Sequence, residues 1–86
     1  MSMTDFQIVG VRVLSQPLDL PRGARVMAEF DIASRGFLFE GCRLYHVEGK
    51  GWGWWTPNPR VKFPREMRGP IKEAVRKTFD ALTLAR

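Results

Sequence analysis

The chain is predicted to be an α+β domain: a four-stranded antiparallel β-meander followed by one C-terminal α-helix, a single domain over residues 1–86. Three observations predict it. Apolar and polar residues alternate in successive stretches, the period of strands with one buried face. Turn residues join those stretches in sequence, which favours antiparallel neighbours over a parallel sheet. Near residue 70 the apolar spacing changes to i, i+3/i+4, the period of a helix. With 44% hydrophobic residues in 86, the chain supports one core and no second domain.

From Asp5 to Ser15, Val9, Val11 and Val13 are expected on one face of a strand, with Phe6, Ile8, Gly10, Arg12 and Leu14 on the other. Gln16 to Gly23 holds two prolines and a glycine and reads as a loop. Arg25 to Ala33 alternates again, with Val26, Ala28, Phe30 and Ile32 sharing the buried face. Ser34-Arg35-Gly36 turns the chain, Gly36 being free to take positive φ.

Phe37 to Glu48 is the third strand. Its alternation sets Phe37, Phe39, Arg43, Tyr45 and Val47 against Leu38, Glu40, Cys42, Leu44 and His46, and Gly41 in its middle predicts a bulge or a close approach. Gly49-Lys50-Gly51 leads into a fourth strand, Trp52 to Thr56, with Trp52 and Trp54 opposite Trp55. Pro57, Pro59 and Pro64 keep residues 57–64 irregular. Pro70 fits the first position of a helix, where its missing N–H costs nothing, and Ile71, Ala74, Val75, Phe79 and Leu82 form the apolar stripe.

The formal charge is +5, and its location carries the information. Six basic and six acidic residues cancel in residues 1–59. Arg60, Lys62, Arg65, Arg68, Lys72, Arg76, Lys77 and Arg86 face only Glu66, Glu73 and Asp80 in the remainder, which therefore holds the whole excess. A positive field focused in this way attracts polyanions and speeds their encounter.

Catalysis has no foothold in the sequence, and the protein is read as a non-enzyme. His46 is the only histidine and has no nucleophile or carboxylate pair in a recognised arrangement. Cys42, the only cysteine, reads as a buried, inert thiol; it makes no disulfide within the chain and joins no metal-ligand pattern. Gly49-Lys50-Gly51-Trp52-Gly53 lies between two strands and is no phosphate loop. No cofactor, metal or membrane partner is expected. The lone cysteine, the absence of a long apolar run and an N-terminus without a basic region before an apolar one point to the cytoplasm.

One helix covers one face of a four-stranded sheet, so the other face is left to solvent or a partner. Trp52, Trp54, Trp55 and Tyr45 are the candidates for base stacking or for an interface, with plain core packing as the alternative.

The order of elements resembles the stage V sporulation protein G (SpoVG) family of septation-type regulators over nearly the full length. The resemblance rests on Thr4-Asp5 before the first strand, Arg25-Val26-Met27-Ala28, Phe37 through Gly51 with its Arg43-Leu44 step, and Gly69-Pro70-Ile71 with Ala74-Val75. Thr56-Pro57-Asn58-Pro59-Arg60 falls where the family has Met-Pro-Ser-Lys-Arg; Arg60 matches its second basic residue, Pro59 stands at the first, and Lys62 follows two residues on. The resemblance implies a small dimeric SpoVG-like α+β protein that binds DNA, and in some members RNA, as a regulator.

The expected function is therefore non-catalytic, nucleic-acid-binding regulation by a homodimer. Arg60, Lys62, Arg65 and Arg68 form a basic loop, with Lys72, Arg76 and Lys77 extending it along the helix. Phosphate contacts of this kind give affinity and salt dependence but little sequence information, leaving base discrimination to Asn58 or an exposed tryptophan. The main alternative is a protein-interaction or assembly module using an aromatic sheet face. A third is a small-ligand binder with a tryptophan box.

Overall fold

Alternation this regular pairs into a sheet, and the four stretches do so in chain order. A computed structural model describes residues 6–84; Asp5, the expected start of the first strand, and Arg86, one of the C-terminal cations, lie outside the described residues. Strands β1 (Gln7–Asp19), β2 (Ala24–Ser34), β3 (Phe37–Val47) and β4 (Gly51–Trp55) form one antiparallel sheet of order β1-β2-β3-β4, and helix α1 (Arg65–Leu84) follows. The α+β meander with one C-terminal helix is thus the observed architecture.

Helix α1 covers one face of the sheet. Ile71, Val75 and Phe79 meet Ala28, Phe30, Ile32, Cys42, Leu44 and Trp54 in one buried cluster. The remaining corrections concern which residues reach that cluster, and two glycines account for most of them.

In β1, Gly10 takes φ 64° where the pairing with β2 slips between Val9 and Arg12. A slip of one residue exchanges the faces of everything beyond it. Ile8 therefore packs on the core together with Val11 and Val13, while Val9 is exposed, so the expected grouping of all three valines does not hold. Gly41 does the same in β3 at φ 76°, opposite a slip between Phe30 and Ile32. The bulge expected at Gly41 is present, and it brings Phe39 to the core face with Cys42 and Leu44 while Tyr45 stays on the opposite face.

Two further slips at Met27, one against β1 and one against β3, separate Val26 from its expected companions. Val26 is buried, but it pairs with Leu18 and Tyr45 and stands apart from the main cluster.

Strand β1 continues to Asp19 through residues expected in a loop. As an edge strand it has only one neighbour, so the N–H that Pro17 lacks need not be a ladder donor. The turn that remains is a single 3₁₀ turn, Pro21–Gly23.

Helix α1 begins at Arg65, five residues before the expected start, and contains Pro70. A proline at the sixth helical position gives up a bond to the carbonyl of Glu66. The early turn is held by other means: Met67 packs on the core, its N–H donates to the Pro64 carbonyl at 3.0 Å, and Arg68 is tied to β4. At the far end Leu82 is exposed, because Phe79 already packs on Trp52, one residue from the end of β4.

The helix-free face is lined with charge. Arg12, Glu29, Arg43 and Trp55 stand in register across all four strands, with Arg43 and Glu29 3.4 Å apart. Arg12 grips Asp31 with both guanidinium nitrogens, at 3.1 and 3.3 Å. Tyr45 stacks on Trp55 at 4.9 Å and lies over Gly53, where an added Cβ would come within 2.5 Å of the phenol ring.

Candidate nucleic-acid interface

Residues 56–64 are irregular, as their prolines require, and are folded by short-range bonds. The Thr56 hydroxyl donates to the carbonyls of Asn58 (3.1 Å) and Val61 (3.4 Å), and the Val61 N–H donates to the Asn58 carbonyl at 3.0 Å. The Asn58 side-chain oxygen accepts the Arg60 N–H at 3.0 Å, an Asx-type turn. That bond engages the Asn58 side chain, one of the two expected sources of base discrimination, within its own loop. Its effect is to aim Arg60 and Lys62 outward, both exposed.

Next along the chain, Arg68 is locked to β4. Its guanidinium lies 4.3 Å from the Trp54 ring centroid and donates to the Trp54 carbonyl at 3.0 Å, while the Trp54 indole N–H donates to the Arg68 carbonyl at 3.1 Å. β4 is an edge strand, and this contact occupies one of its outward carbonyls. Two turns on, Arg76 stands 5.7 Å over Trp52. Arg68, Lys72 and Arg76 are spaced i, i+4, i+8 and share the side of α1 turned to β4. Lys77 and Arg76 line one shallow surface with Glu73 and Asp80, which dilute the charge of both.

The tryptophans divide accordingly. Trp54 is core: its indole meets Phe30 edge-on at 6.0 Å and Phe63 at 5.4 Å. Trp52 is half-buried between Phe79 (5.4 Å) and His46 (4.9 Å). Trp55 and Tyr45 lie together on the helix-free face, away from the helix cations.

Between the β2–β3 turn, the 56–64 loop and the first turn of α1 lies a cleft of about 400 Å³ that inspection of the sequence did not single out. Phe37, Phe39, Phe63 and Met67 are the large apolar residues of its lining. Arg35, Arg60 and Lys62 also line it, and no carboxylate is among its described lining residues. Phe37 is 67% exposed, although Phe39 beside it packs on the core. The signal that was present for this site is the Ser34-Arg35-Gly36-Phe37 turn; what joins it to Arg60 and Lys62 is the tertiary fold. Phe63 touches both Phe39 (5.0 Å) and Trp54 (5.4 Å), the ring on which Arg68 rests.

The charge pattern separates the two halves of the molecule. In the sheet, Arg12 pairs with Asp31, Arg25 with Asp19 (2.7 Å) and Arg43 with Glu29. Arg60, Lys62, Arg65, Arg68, Lys72, Arg76 and Lys77 pair with no described carboxylate.

Cys42 is fully buried, and burial pushes its thiol up to about 11. The reactive thiolate is therefore scarce at neutral pH. In the folded protein at pH 8 iodoacetamide is expected to alkylate Cys42 at least ~100-fold more slowly than in the urea-unfolded chain; equal rates, followed by mass spectrometry, would refute a closed site. Among the described residues no three His, Cys, Asp or Glu side chains group to hold a metal ion. No described helix is long and apolar enough to cross a membrane.

Fold and site together define a small α+β domain with a neutralised sheet and an un-neutralised basic edge. The chain matches no family model, no curated protein and no solved structure.

Proposed function

We propose that this protein is a non-catalytic, cytoplasmic nucleic-acid-binding regulator of the SpoVG type, acting as a homodimer. The observation that carries the reading is the segregation of charge: the ion pairs of Arg12, Arg25 and Arg43 all lie in the sheet, whereas the cations of the 56–64 loop and the helix pair with no described carboxylate and are left for an external anion. Their partner is then a polyphosphate backbone, bound by displacement of its counterions. Arg68 and Arg76 are held against Trp54 and Trp52, so less side-chain freedom is lost when they meet phosphate. Arg60, Lys62, Arg65 and Lys72 supply further charge, whereas Arg76 and Lys77 share their surface with Glu73 and Asp80. The helix-free sheet face, with exposed Val9, Leu18 and Leu38 around its ion pairs, supports pairing of two copies, which would double the basic surface.

Fluorescence polarisation on labelled DNA and RNA, single- and double-stranded, tests the reading. With about four phosphates engaged, duplex affinity is expected to fall roughly 100-fold between about 50 and 200 mM salt. Arg60→Ala/Lys62→Ala should reduce the log–log salt slope by about two. Light scattering should give about twice the 9.9 kDa chain mass. A folded protein that binds no nucleic acid at the lower salt would refute the proposal.

A further inference from the structure

We propose that the cleft between the β2–β3 turn and the 56–64 loop receives an unstacked base of single-stranded nucleic acid, with Arg35, Arg60 and Lys62 on the flanking phosphates. The inference rests on the nucleic-acid reading above and names the form of the ligand.

Three observations carry it. The first is shape and chemistry. A cleft of about 400 Å³ falls within the ~300–1,000 Å³ range of small-molecule sites, and a lining with several aromatic residues and a few charged ones is how such sites are built. The second is charge. Among the described residues, three cations and no carboxylate line the cleft together with its aromatic side chains, which matches a ligand that has a flat apolar face beside anionic groups. A duplex presents the anionic part but keeps its base faces stacked; a single strand presents both.

The third observation is conformational. Phe37 stands 67% exposed at the mouth of the cleft, its ring 6.4 Å from Phe39, although burial would be the favourable place for it. A base stacking on Phe37 removes that surface from water. Beside it, Arg35 is held at φ 51° and Gly36 at φ 81°, the positive pair required by a two-residue type I′ turn. Asn occupies the first of these positions with little strain, whereas Arg does so at a cost. Strain of this kind collects where a side chain serves a ligand. The turn brings Arg35 into the lining of the cleft that Arg60 and Lys62 line from the 56–64 loop.

The test compares a labelled 12-mer single strand, as DNA and as RNA, with a 12-bp duplex by fluorescence polarisation at about 50 mM salt. Phe37→Ala is expected to weaken single-strand binding about 5- to 100-fold, to change duplex binding less than about 2-fold, and to leave the salt slope intact, since it removes no cation. Phe37→Trp should restore the single-strand affinity. Arg35→Asn, which suits the turn, should weaken single-strand binding and reduce its salt slope by about 0.7. Thermal melting confirms that each variant is folded. If Phe37→Ala weakens both ligands equally, or neither, while Arg60→Ala/Lys62→Ala still weakens binding, the cleft proposal fails and the basic-edge reading stands. If the wild-type protein binds no nucleic acid, both fail.

Discussion

Trp54→Ala is expected to destabilise the protein by about 3–5 kcal/mol, the cost of emptying a large aromatic site in a packed core. In a domain of this size that lowers the melting temperature by roughly 12 °C or more. Trp54 is 4% exposed and joins three parts of the molecule. Its ring packs on Phe30 of β2 and on Phe63 of the loop, and Arg68 of α1 lies across its face. The reciprocal hydrogen bonds between Trp54 and Arg68 anchor the first turn of a helix that Pro70 weakens from within. Alanine removes the packing and the indole donor together. Trp54→Phe keeps most of the packing and loses the donor to the Arg68 carbonyl, so it should fall between wild type and Trp54→Ala. Circular dichroism melts of the three proteins check this order. A Trp54→Ala protein within about 1 kcal/mol of wild type would contradict the central position assigned to the indole.

Asp31→Ala is expected to cost about 1–3 kcal/mol at pH 7, because it strands hydrogen-bond donors at both bulges. One Asp31 oxygen accepts from Arg12 and from the Gly41 N–H, at 3.1 and 3.0 Å. Arg12 also donates to the Gly10 carbonyl at 2.7 Å. A single carboxylate thus ties the bulge of β1 to the bulge of β3. The hydrogen bonds from Arg12, followed by that from Gly41 and the guanidinium charge, hold the Asp31 carboxyl below the usual carboxylate range against the opposing effect of burial. The sign follows from that direction. The folded state binds the Asp31 proton less readily than the unfolded chain does. The stability it contributes is therefore complete above the unfolded value of about 3.9 and is lost as pH falls through the lower folded value. Urea titrations from about pH 7 down to pH 3 should show wild type losing stability relative to Asp31→Asn, the gap between them narrowing with acid. A gap that is constant over that range would exclude the ion pair as its source.

Much of the fold was legible from local pattern. In β2 the spacing of Ala28, Phe30 and Ile32 has one solution, a strand with a buried face, and these three residues form the middle of the core. Ile71, Val75 and Phe79 were equally unambiguous at helical spacing. The faces of β1 and β3 were harder to read. Strict alternation assigns Val9 with Val11 and Tyr45 with Phe39, and a glycine bulge between the members of each pair reverses the assignment. Gly41 announced its bulge, yet the resulting exchange of faces depends on how many residues the partner strand sets opposite it. The helix start was misplaced for a related reason: Pro70 is a strong local signal, and the contacts of Met67 and Arg68 that override it come from β4 and the core.

The candidate site divides along the same line. By itself, the sequence determined that the excess charge lies after residue 59, that the sheet segment is neutral, and that the chain forms strands followed by a basic helix. Composition and period are properties of neighbours in the chain, so no contact need be known to read them. Only the tertiary structure decided that Arg35 and Phe37 stand beside Arg60 and Lys62, that Trp54 is core, and that Trp55 faces away from the helix cations. Those relations join residues about 25 apart in the chain, and they are set by bulge register and by where the helix lands on the sheet, which follow from packing the whole molecule at once.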